Sequence, residues 1–153
     1  MRTLSLSACL LLWAVALHGQ SASNRKAGTL SWGPAPAAFP KGAQMAVVSG
    51  DPGKEGPFTV ELSFPDGYRV PPHFHPTDET VEVKKGTFLV GMGDALDVAK
   101  TNAMKVGATG KVPALAHHYA VARGATVVAV TAIGPFAMTY VHPADDPRTA
   151  PHP

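Results

Sequence analysis

Apolar and polar residues alternate along several short runs of the chain. Phe58, Val60, Leu62 and Phe64 are separated by Thr59, Glu61 and Ser63, a period of two that predicts a half-buried strand closed by the turn Pro65-Asp66-Gly67. Shorter runs predict strands over 45–48, 79–83, 87–91, 117–122, 126–133 and 136–142, with turns at Lys85-Gly86, Arg123-Gly124 and Gly134-Pro135. Only 94–104 has room for a helical turn or two. Seven or more short strands, with no helices of about 10–15 residues between them, predict an all-β single domain, an antiparallel sandwich or barrel of jelly-roll type. The barrel is expected over 42–142, after an extended arm over 24–41 rich in Pro, Ala and Gly. A flexible Pro-rich tail is expected over 143–153. No internal repeat is evident.

Composition supports this picture and narrows the partners. Fifteen Gly and fifteen Pro in 153 residues argue against a helical bundle. Charged residues make up 16% of the chain, the net charge is +2, and Lys and Arg are scattered singly. No nucleic-acid partner is expected, because a concentrated basic face is lacking, and a small molecule suits the chain better than a charged polymer.

The first 23 residues read as a separate segment. Met1-Arg2 is a short positive start, Leu4 to Leu17 is almost continuously apolar, and Gly19 to Ser23 offers small residues for cleavage. This predicts a secretory signal peptide and an exported protein, periplasmic or secreted. Leu6-Ser7-Ala8-Cys9 has lipobox residue types, but the apolar run continues past Cys9 where a lipobox would close it. A run of about 14 apolar residues is also short of the ~20 that span a bilayer, so no permanent membrane anchor is expected. Cleavage would remove Cys9, the one cysteine, and with it any disulfide or thiol chemistry. Without a twin-arginine pair, the chain is expected to cross unfolded and to take up any metal outside the cytosol.

Candidate chemistry is concentrated after the first turn. On a strand, His73 and His75 point to one face while Phe74 turns to the other, so two imidazoles can meet one ion. Pro76-Thr77-Asp78 then predicts a turn that returns Glu79 toward the same ion as a carboxylate ligand. His117-His118 supplies a further imidazole, and on a strand only one of that pair can face inward. Three imidazoles and a carboxylate would suit a divalent transition metal such as Fe, Mn, Zn, Cu or Ni.

These residues carry a resemblance. Gly67, His73, His75, Glu79 and Gly86 match every fixed position of the first cupin motif, G(X)5HXH(X)3,4E(X)6G. The second, G(X)5PXG(X)2H(X)3N, is met at Gly107, Pro113 and His118 but not at Leu115, where the family has glycine, or at Ala122, where it has asparagine. The chain thus resembles the cupin superfamily. That resemblance implies a small β-barrel holding one metal ion through His73, His75, Glu79 and His118, often as a homodimer. His117 is then a candidate for the rim, and Ala120 and Ala122 would leave room around the ion.

Cupins carry out many activities, so the fold does not choose among them. The leading expectation is a metal-dependent oxidoreductase, dioxygenase-like, acting on a small organic molecule, with Glu79 able to act as a base. The alternatives are a non-redox isomerase or lyase using the ion as a Lewis acid, and a non-enzymatic module that binds a metabolite or metal.

Overall fold

The computed structural model describes residues 29–149; the predicted signal segment with Cys9 lies outside them, as does the end of the tail, 150–153. Among the described residues, nine strands form a curled antiparallel sheet: β1 (Gly33–Pro34), β2 (Gln44–Ser49), β3 (Gly56–Phe64), β4 (Arg69–Phe74), β5 (Glu79–Met92), β6 (Asn102–Lys105), β7 (Thr109–Val112), β8 (His118–Gly134) and β9 (Thr139–Tyr140). One path runs β1-β2-β3-β8-β4-β9, and β5 joins it along β8 while also pairing with β6 and β7. The result is an all-β jelly-roll barrel. Among the described residues, no helix is long and apolar enough to cross a membrane.

The alternation read in β3 is the barrel's inner wall: Phe58, Val60, Leu62 and Phe64 are buried and the residues between them are not. Phe64 stacks on Tyr68 at 4.9 Å and on Phe88 at 5.7 Å, tying β3 to the opposite wall.

Two of the expected turns are corrected. Lys85-Gly86 and Arg123-Gly124 do not end strands. They lie opposite each other inside the long strands β5 and β8, where the register shifts and both glycines have positive φ. Facing bulges bend the two strands together, so that each continues round the barrel. Thr126, fully buried, pins this corner by donating its hydroxyl to the carbonyls of Thr87 and Gly124. Residues 94–104 contain only a 3-10 turn at Val98–Lys100 before strand β6 begins. The short β6 and β7 carry few apolar residues and were not anticipated.

The described part of the arm, 29–41, holds β1 and a turn closed by the Phe39 N–H on the Pro36 carbonyl, and it packs on the barrel. Tyr68 donates its hydroxyl to the Pro40 carbonyl and Tyr140 donates to that of Ala38. Burial pushes the Tyr140 phenol up to about 12, and Tyr68 higher still, so both remain donors at any ordinary pH. The tail through Thr149 is held as well. Arg148 donates to Asp146 and to the Met138 carbonyl, and Thr149 to the Pro143 carbonyl.

Candidate metal centre

Strand β4 places the first histidine by a device the alternation rule does not contain. Val70 faces inward, and three residues further along His73 also faces inward, because the strand carries one extra residue between Val70 and His73 against β8. Pro71 and Pro72 occupy that bulge; lacking N–H groups, they lose no ladder bonds there. His73 then pairs directly opposite His118 of β8, so the two rings share a face, 4.1 Å apart between centroids.

His75 lies just beyond β4 and Glu79 begins β5. The turn between them is laced to the segment before His118. Asp78 accepts from the Ala114 N–H at 2.8 Å and pairs with Lys111, while the Leu115 N–H donates to the His75 carbonyl at 2.8 Å. The Lys111 partner and the Ala114 N–H hold the Asp78 carboxyl below the usual carboxylate range, so this brace stays charged. The sequence reading did not single out Asp78; its place in a Pro-Thr-Asp turn was the available signal. Leu115 adopts φ 62°, the left-handed conformation that the motif's glycine would take without strain, so the turn keeps its shape despite the substitution.

The structure brings together all four residues predicted for one site. His73, His75, Glu79 and His118 are only 4%, 4%, 6% and 3% exposed, burial that is unusual for such groups without mutual partners. The nitrogen donors of the three histidines lie within 4.8 Å of one another. Glu79 reaches His118 Nε2 at 3.1 Å and His75 Nε2 at 3.6 Å. Each histidine also bonds a backbone carbonyl through Nδ1: His73 to Pro71 (2.7 Å), His75 to Ala137 (2.8 Å) and His118 to Ala116 (3.0 Å). A carbonyl only accepts, so Nδ1 carries the proton and Nε2 keeps its lone pair, the tautomer a metal requires. This donor set fits a metal ion.

His117 is outside the cluster. It turns to the outer face, stacks on Phe74 at 5.1 Å and bonds Asp94 Oδ1 at 2.6 Å. Ala120 lines the cavity below the histidines and Ala122 is buried in the core. Phe64, Phe88, Met92, Phe136 and Met138 line the cavity, and Phe136 stacks on His75 at 4.3 Å. Tyr140 is buried and instead latches the arm. Arg69 is exposed and does not line the cavity.

Burial pushes His73 well below the usual histidine range, and the neighbouring His118 and His75 push it further. Burial also lowers His75, with Glu79 and the Ala137 carbonyl opposing. In the unfolded chain these imidazoles take up protons near pH 6.5, whereas the folded ones resist. As pH falls through about 6.5 the unfolded state therefore gains protons first, and the metal-free protein is expected to lose stability. Urea midpoints of metal-free protein at about pH 7.5 and 5.5 check this: the lower pH should give the lower midpoint.

Solved structures share this architecture. An RmlC-like cupin from Shewanella frigidimarina is similar at a TM-score of 0.51 and 20% identity, over 60% of this chain and 76% of that one. A protein from Methylibium petroleiphilum, provisionally assigned as an acetylacetone dioxygenase, is similar at 0.59 and 21%, over 94% and 90%. This is the cupin fold. An oxalate oxidase with the same fold is similar at 0.52 and 21%, over 71% of this chain and 60% of that protein. At these identities the likeness is one of fold. No family model matches the sequence, and no curated protein matches it.

Proposed function

We propose that this cupin-fold protein binds one divalent transition-metal ion through His73, His75, Glu79 and His118, and acts as a dioxygenase-like oxidoreductase on a small organic molecule. The observation that carries this reading is the set of three buried imidazoles, each with Nδ1 committed to a carbonyl, beside one buried carboxylate. Bound there, such an ion would supply redox or Lewis-acid capacity. The protein's part is to bury the imidazoles, which holds His73 and His75 below the usual histidine range, and to set the Glu79 carboxylate beside them as a base. A substrate filling the largely apolar cavity beside them would exclude water from the reacting groups. The assignments of two fold relatives, acetylacetone dioxygenase and oxalate oxidase, support oxidative chemistry as the first reading. The signal segment expected over residues 1–23 supports an activity exercised outside the cytosol.

A carboxylate base beside the histidines would also serve an isomerase or lyase, which needs no oxygen. Elemental analysis of the protein purified from its native compartment, with an oxygen-uptake screen on enolic and phenolic compounds, separates the readings. Stoichiometric Fe, Mn or Cu with substrate-dependent oxygen uptake is expected. Stoichiometric Zn or Ni without uptake would overturn the oxidative reading.

A further inference from the structure

Building on the metal-site reading, we propose that the cavity takes an uncharged, predominantly apolar molecule that presents one oxygen-bearing end to the histidines, and that it rejects small dianions. The cavity measures about 490 Å³, within the range of small-molecule sites. Its walls are built from side chains such as Phe39, Leu62, Phe64, Phe88, Met104 and Phe136. Glu79 and Lys111 are the only Asp, Glu, Lys or Arg among the residues that line it. Lys111 contributes no interior charge. It pairs with Thr80 on the outward face of β7 and β5, between the inward Gly110 and Val112, and its ammonium is 2.6 Å from Asp78. Among the described residues, the interior therefore holds a carboxylate and no lysine or arginine side chain.

Charge balance follows directly. By formal count, a divalent ion held through three imidazole nitrogens and one carboxylate oxygen carries a single net positive charge, enough for one anionic oxygen. A second ligand charge would be buried without a partner and would face Glu79, whereas an apolar body gains by leaving water. Beyond the metal cluster, the polar side chain on the inner face is Asn102, which sits across from Val90 on the side of β6 that carries Met104. It is exposed, so a second polar group on the ligand would lie toward solvent.

The test is a fluorescence titration with 2-naphthol, a neutral aromatic probe with one oxygen, on metal-free and Mn(II)-loaded protein. Binding to both forms with Kd at or below about 100 μM is expected, tighter by about tenfold when loaded. Oxalate at about 100-fold excess over the probe should not displace it. Val90→Asp should weaken 2-naphthol by at least about tenfold, and Met104→Glu is the second variant should the first not fold. Displacement by oxalate at concentrations equal to the probe, or unchanged naphthol affinity in a folded charge variant, would overturn the proposal. The two readings fail separately. Naphthol binding in a protein that takes no metal would sink the metal site and leave the apolar cavity, while stoichiometric metal with preferred oxalate binding would do the opposite.

Discussion

His118→Ala is expected to reduce bound metal to a small fraction of one ion per chain, while His117→Ala retains it. The two residues are neighbours in sequence, His117 just before β8 and His118 at its start, and they turn to opposite sides. His118 is buried, opposite His73, with Nε2 3.1 Å from Glu79. His117 is bonded to Asp94 on the outer surface. His75→Ala should behave like His118→Ala, since it removes one of the same three donors. The loss should also register as stability, because a ligand present at about 1,000 times its Kd adds about 4 kcal/mol to the folded state. Added metal should therefore raise the melting temperature of the wild type and of His117→Ala, but not of His118→Ala. Metal content after dialysis and melting curves with and without metal measure both effects, with far-UV circular dichroism confirming that each variant folds. The reverse pattern would mean that β8 is displaced by one residue, which turns every side chain to the other face.

The second large effect is expected at Gly86. Its φ is +75°, and a Cβ there would lie 2.6 Å from both the Ala125 carbonyl oxygen and the Thr126 hydroxyl. Alanine at this position pays the left-handed backbone cost of about 1 kcal/mol and also pushes apart the buried corner where β5 and β8 bend. A destabilisation of about 3 kcal/mol or more is expected, lowering the melting temperature by roughly 10 °C. Gly67 is the internal control. It has a similar φ of +72°, but a Cβ there would meet nothing within 4 Å. Gly67→Ala should therefore cost only the backbone component, about 1 kcal/mol. Equal losses in the two variants, measured by urea denaturation, would show that the packing at the β5–β8 corner contributes nothing.

Gly86 also shows how far local signals reach. A glycine after a charged residue marks a point where the chain must adopt positive φ, and it was read as a turn between two strands. A turn and an in-strand bulge ask the same of that residue, so the sequence does not separate them. What separates them is Arg123-Gly124, which faces it across the β5–β8 ladder and bends with it. The strand that bears His73 was legible only as a motif, since Pro71-Pro72 interrupts the alternation by a bulge. Strands β6 and β7 escaped notice because Asn102–Lys105 and Thr109–Val112 lie near the surface and bury little. The alternation of β3, by contrast, was plain because that strand packs one face on the core and leaves the other half-exposed.

By itself the sequence determined which residues can serve as metal donors, in what order they come, and that only one of His117 and His118 can face inward. Those properties are local, set by side-chain chemistry and by a period of two. The tertiary structure alone decided that His73 meets His118 across β4 and β8, and that the Ala137 carbonyl, 62 residues away, orients His75. It also decided that Lys111 is turned outward against Asp78, so that among the described residues no lysine or arginine side chain enters the interior. Those facts depend on which faces the curled sheet brings together. That is settled by register and burial summed over the whole barrel, and no short stretch of chain encodes it.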